Sequence, residues 1–344
     1  MKRIAWLDVA RALAVIFVVF THAHEQAGVQ SILLKSIYYS VDRIGVPIFL
    51  MISGGLILPK LQKNGDILSF YKKRIPQFIA VIIVYSLLTS IPRLYSFGAL
   101  DSKSWVTIFI ENNGIYPFKS AIPHLWYMYF IIALYLISPF LSKMLSLCTD
   151  KQVYLFIIIC VLLNQFPATM AAFGYKIEFL QAMGNNFTGS FLVYYLLGYM
   201  IIHKGGTGSL SITSVVGYTG LTIIPIGLLA WYEVLNNKFV GTMHWYGGSF
   251  SILISSVGLL MLIKVLFSRT ESSSCIVNRL SLYSFGIYLS HYAFIYLAKG
   301  IFNSNNVHLG EISGVFIYMI VGMILGYVFT WILSRTKYTK WLVM

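Results

Sequence analysis

The feature that most constrains this chain is a stretch of about twenty predominantly apolar residues that recurs from one end to the other. A bilayer core of ~30 Å needs about 20 such residues per helix, and helices satisfy their own backbone polar groups there. The stretches are expected at 5–24, 44–59, 75–96, 123–142, 153–171, 188–203, 213–232, 248–267, 281–300 and 312–334. They predict an all-α, polytopic integral membrane protein with about ten transmembrane helices. Composition agrees, because 10% of residues are charged against about 25% in soluble domains. No internal repeat or soluble domain is visible, so residues 1–344 are read as a single transmembrane domain.

Basic residues outnumber acidic ones 25 to 11. Nucleic-acid binding would also produce such an excess, but here the Lys and Arg lie in short clusters between apolar stretches. With the N-terminus inside, sixteen of the 25 fall on inner segments and inner helix ends, among them Lys60, Lys63, Lys72, Lys73, Arg74, Lys151, Lys204 and Arg335. Eight fall on the outer side, including Lys35, Arg43, Arg93 and Lys299, and Arg11 lies well within a span. This asymmetry follows the positive-inside rule, and an even helix count then returns the C-terminus to the cytoplasm. Lys2, Arg3 and the apolar stretch 12–21 imitate a signal peptide, yet no small-x-small cleavage site follows before His24 and Glu25. A retained first helix is expected.

Three cysteines, Cys148, Cys160 and Cys275, have no CxxC pairing and no metal-ligand spacing, so neither a disulfide framework nor a metal site is expected. Gly205, Gly206 and Gly208 lack the Lys-Ser/Thr ending of a phosphate-binding loop. The longest outer connection, 97–122, carries Trp105, Tyr116 and Phe118 and is expected to lie partly in the interface.

Ionisable side chains inside spans are costly and usually face a bundle interior or a wet cavity, so each is a functional candidate. Arg11 and His22 are eleven residues apart, about three helical turns and a rise of ~16 Å, so they share one face of the first span. Asp8, one turn before Arg11, is placed to pair with the guanidinium. The plainer alternative is that Asp8 and Arg11 snorkel to the inner interface while His22 and His24 sit among outer headgroups. His291 falls near the middle of the ninth span, where a core histidine bonded to a neighbouring helix is the simpler account. His124 opens the fourth span beside Trp126 and Tyr127, which look like aromatic-belt residues. Lys72, Lys73 and Arg74 precede the third span and read either as a topology signal or as contacts for phosphate groups of a cytosolic ligand. His203, His244 and His308 fall in loops or helix ends and are assigned no chemistry.

Five stretches together resemble the acyltransferase 3 family of membrane acyltransferases. They are LDVARALAVIFVVFTH, with Arg11, ten residues and His22; GVPIFLMISGGLIL, which contains Ser53; FYKKRIPQF; HLWYMYF; and YSFGIYLSH. The resemblance implies ten core helices and transfer of an acyl group, commonly acetyl, from cytosolic acyl-CoA to an acceptor on bacterial surface or secreted glycans. It implies functional roles for Arg11 and His22, with His291 beside them. Lys72, Lys73 and Arg74 become donor contacts, and Asp8, Arg43, Ser53, His124 and Trp126 supporting residues. The family's basic motif usually carries a second arginine three residues after the first, where this chain has Gln77. No SGNH-type hydrolase segment follows the last span, so the membrane domain is expected to complete the transfer or hand it to another protein.

Neutral imidazole suits removal of a hydroxyl proton near pH 7, which makes His22 the expected base. His291 is left either to hold the acceptor or to polarise the carbonyl. The same intramembrane Arg, Asp and His also suit the pathway of a transporter or flippase for a glycan or small anion. A membrane scaffold is the third reading. Covalent change to the acceptor separates the first from the others.

Overall fold

The computed structural model describes residues 4–100, 104–115, 122–187, 189–204 and 210–343. Lys2, Arg3, Tyr116, Phe118 and the cluster of Gly205, Gly206 and Gly208 lie outside them. The described residues form helices joined by turns and loops, with no strand among them.

The helices are α1 (Ala5–Ala27), α2 (Ile32–Asp42), α3 (Gly45–Asn64), α4 (Ile67–Ser96), α5 (Trp105–Asn112), α6 (Trp126–Leu147) and α7 (Asp150–Leu163). They continue with α8 (Gln165–Ala172), α9 (Glu178–Phe187), α10 (Ser190–Tyr199), α11 (Ile212–Leu235), α12 (Phe250–Phe267), α13 (Cys275–Ser304) and α14 (Glu311–Ser334). Eight spans among the described residues are long and apolar enough to cross a membrane, with α2 and α3 together making one and α7 and α8 another. The two remaining expected spans fall on α10, prolonged by the π-helical turn Met200–Lys204, and on α13. Helix α13 has 30 residues, but its Ser, Asn, Tyr and His side chains dilute its apolar character. Sequence periodicity also overlooked α2, which turns much of the supposed connection, Lys35 included, into helix and leaves Arg43 as its C-cap.

Large apolar side chains face outward along these helices: Leu221, Ile223, Ile224, Leu228 and Trp231 on α11 and Phe316, Ile320 and Ile324 on α14 are all exposed. In water such surfaces would drive association; in a bilayer they are the lipid-facing side. Helix α5 buries Ile108 and exposes Trp105, Val106, Phe109 and Ile110, so its outer face is apolar.

The chain forms two compact units. The first comprises residues through Phe17, Ser31–Asp66 and Leu134–Asn278. Within it α3 and α10 cross in backbone contact: a Cβ on Gly54 would collide with the Tyr195 carbonyl, and one on Gly198 with the Met51 carbonyl. Small residues permit such approach between membrane helices, where packing rather than water expulsion drives association. The turn into α7 is closed by a capping box between Thr149 and Gln152, and Lys204 Nζ lies 3.0 Å from Asp150 Oδ1.

The second unit comprises Val18–Gln30, Ile67–Ala133 and Arg279–Met344. At one end the start of α14 touches the end of α1, through Gly314 and Ala27, and Asn303 Nδ2 of α13 donates to the Ser96 carbonyl of α4 at 3.2 Å. At the other end Phe78 of α4 packs on Phe285 of α13, ring centroids 6.4 Å apart, and Gln77 Nε2 donates to the Trp341 carbonyl at 2.7 Å. Helices α4 and α13 therefore run in the same direction, side by side.

Candidate active site: three histidines in the second unit

The second unit gathers His22 from α1, His124 from the 3-10 turn Pro123–Leu125 and His291 from α13. Their ring centroids lie 6.0 Å apart for His22 and His124, 5.4 Å for His22 and His291, and 5.4 Å for His124 and His291. All three are buried, His291 completely. Tyr292 stacks on His22 at 4.2 Å and meets His124 edge-on at 5.3 Å.

Each imidazole has one nitrogen fixed by a partner that can only accept. His22 Nδ1 lies 2.9 Å from Glu25 Oε2, an i, i+3 pair on one helix face, so the carboxylate places the proton on Nδ1 and leaves the Nε2 lone pair free to act as a base. His124 Nε2 is 3.1 Å from the Leu289 carbonyl, and Tyr288 Oη donates to the His124 carbonyl at 2.7 Å. His291 Nδ1 is 3.0 Å from the Ile287 carbonyl one turn back on its own helix. The remaining nitrogens, His124 Nδ1 and His291 Nε2, are buried without a hydrogen-bond partner among the described residues. In these neutral tautomers both offer lone pairs. A shorter chain of contacts steadies the stacked tyrosine: Gln26 Nε2 donates to Tyr292 Oη at 2.8 Å, and Lys299 Nζ donates to Gln26 Oε1 at 2.9 Å.

A family model described as an acyltransferase domain, the acyltransferase 3 model, matches residues 4–334. The chain belongs to the acyltransferase 3 family. It is thus an acyltransferase and a multi-pass membrane protein. No curated protein and no solved structure matches it.

Several residues that the family resemblance singled out lie elsewhere. Arg11 and Asp8 are in the first unit on the early turns of α1, Asp8 buried and Arg11 half-buried. Ser53 is half-buried on α3 next to the Gly54 crossing, so its motif is in part a packing device. Trp126 opens α6 and packs edge-on against Phe130 at 5.6 Å. In the second unit, Lys72 and Lys73 are exposed on α4, while Arg74 Nη1 donates to Gln77 Oε1 at 3.3 Å. Gln77, which stands where the family has arginine, therefore ties Arg74 to the segment after α14.

Arg43 belongs to a separate polar cluster in the first unit. Its Nη1 donates to Tyr246 Oη at 2.8 Å, and its guanidinium lies over the rings of Tyr39 and Tyr246. His244, given no role by sequence, is buried in the same cluster: its Nε2 is 3.1 Å from Glu233 Oε2 and its Nδ1 is 3.2 Å from Ser40 Oγ. Glu25, Gln26 and Tyr292 are the site residues that sequence reading missed. The three-residue spacing from His22 was the available signal for Glu25.

Proposed function

We propose that this protein moves an acyl group, most simply acetyl, from cytosolic acyl-CoA to a hydroxyl of a surface or cell-wall glycan or lipid-linked sugar at a bacterial cell membrane. The observation that carries this reading is the His22–Glu25 hydrogen bond inside the cluster of three buried histidines.

In the proposed reaction His22 Nε2 takes the proton from the acceptor hydroxyl as its oxygen attacks the thioester carbonyl carbon. The carbon–sulfur bond breaks as the tetrahedral intermediate collapses, and the imidazolium returns the proton to the departing CoA thiolate. Glu25 fixes the tautomer of His22 and stabilises its charged form while the proton is held. His291 and His124, whose bare nitrogens can accept but not donate in the tautomers described, accept from neighbouring hydroxyls of the acceptor rather than polarise the carbonyl. Arg11 on α1 and the basic residues Lys72, Lys73 and Arg74 on α4 are proposed, each on its own element, as contacts for donor phosphates. Asp8 is proposed to orient Arg11.

Mass spectrometry of surface glycans from cells with and without the protein tests the reading. An ester-linked acyl mass that depends on the protein, and vanishes in His22→Ala cells with normal membrane levels of the variant, is expected. Identical glycan masses in both strains, with a glycan or anion carried unchanged across the membrane, would return the chain to the transporter reading.

A further inference from the structure

Helix α4 carries a set of buried polar atoms that the mechanism above leaves unused. Tyr85, Ser86 and Thr89 are at most 1% exposed, and Tyr85 Oη, Ser86 Oγ, Thr89 Oγ1 and Arg93 Nε have no hydrogen-bond partner among the described residues. Buried polar groups are nearly always paired, so four orphaned atoms within about two helical turns require an explanation. A second face of the same stripe is already satisfied. Ser90 Oγ donates back to the Ser86 carbonyl at 2.7 Å, which is the usual resolution for a hydroxyl inside a membrane helix.

The register between α4 and α13 says where these atoms lie. Phe78 meets Phe285 near one end and Ser96 meets Asn303 near the other, and both pairs are offset by 207 residues. Gly300 also meets Ser96, at an offset of 204, so the two helices run at offsets of about 204–207, which places Tyr85 and Thr89 at the height of the middle turns of α13, roughly Leu289 to Tyr296, the stretch that carries His291. Phe78, Tyr85, Thr89 and Ser96 are spaced by seven, four and seven residues, which places them on one face of α4. Because Phe78 and Ser96 contact α13, that face is the one toward the histidine-bearing helix. Ser86 is turned to the side, against Gly114: a Cβ there would collide with its hydroxyl.

We propose that Tyr85, Thr89 and Arg93 form the subsite that binds the acceptor, hydrogen-bonding the non-reacting hydroxyls of a sugar whose attacking oxygen lies at His291 and His22. The subsite rests on the acyl-transfer reading and names where its second substrate sits. A sugar bearing several hydroxyls supplies donors and acceptors to the orphaned atoms on this face. An aliphatic alcohol would satisfy none of them beyond its single reacting oxygen. The stripe therefore selects polyhydroxylated acceptors.

The test is steady-state kinetics on purified protein in mild detergent, with acetyl-CoA as donor and the glycolipid and polysaccharide fraction extracted from cells lacking the protein as acceptor. Tyr85→Phe and Thr89→Val remove one hydroxyl each at nearly constant shape, so the double variant retains the packing of α4. Its KM for the acceptor fraction is expected to rise roughly tenfold or more, with KM for acetyl-CoA unchanged within about twofold. An unchanged acceptor KM, or equal rises in both KM values, would overturn the subsite and make the stripe structural. Failure of the wild-type protein to acylate the fraction at all would refute the acyltransferase reading and the subsite with it, an outcome distinct from normal turnover with an unmoved acceptor KM.

Discussion

In the proposed reaction Glu25 turns His22 from a buried histidine into an oriented base, and the two residues differ in what their loss should do. General-base catalysis typically contributes 10²–10⁴-fold, so His22→Ala is expected to lower acyl transfer by at least about a hundredfold. Glu25→Gln keeps a hydrogen-bonding side chain but removes the charge that stabilises the imidazolium. Its kcat is expected to fall roughly ten- to a hundredfold with both KM values nearly unchanged; wild-type kcat in the purified variant would sink the dyad. His24 serves as the comparison, because its ring packs on Phe20 at 5.3 Å, away from the stacked His22 and Tyr292. His22 was legible in the sequence from its alignment with Arg11 on one helix face. His124 was named only through the family resemblance, because beside Trp126 and Tyr127 it looks like any residue of an aromatic belt. Only tertiary structure brings its ring to the Leu289 carbonyl of α13.

At the scale of elements, the most demanding contact is the crossing of α3 and α10 at Gly54 and Gly198. Any side chain at Gly198 collides with backbone rather than with a flexible side chain, so neither helix can yield without moving its whole axis. Gly198→Val is expected to lower the amount of folded protein in membranes several-fold and to reduce its thermal stability in detergent, while Gly217→Val on α11, where a Cβ meets nothing within 4 Å, leaves both unchanged. Equal membrane levels for the two variants would show that the crossing can relax. The apolar stretches in the sequence revealed where most helices run, because length and hydropathy dominate membrane insertion. They were silent on α2, whose Lys35, Ser36 and Asp42 interrupt the pattern, and on the division of expected spans into α7 with α8, and α10 with a π-helical turn. Those breaks come from packing and local backbone geometry, which a window of hydropathy averages away.

For the whole molecule, sidedness is the property with the plainest measurement. The sixteen-to-eight distribution of basic residues predicts that reporter fusions after Lys63, Lys151 and Arg335 read cytoplasmic and that one near Glu178 reads external. An external signal at Lys151 would overturn that topology. The contacts within each unit agree with the same alternation of helix ends: Lys204 meets Asp150 in the first, and Ser96 meets Asn303 in the second. Helix α13 follows α4 over the eighteen residues from Phe78 to Ser96, about 27 Å of rise, yet it is not among the eight spans apolar enough to cross unaided. A segment of that composition gains less from lipid than its neighbours do. Packing against helices made earlier, α4 among them, then adds to what the bilayer supplies in holding the histidine it carries in place.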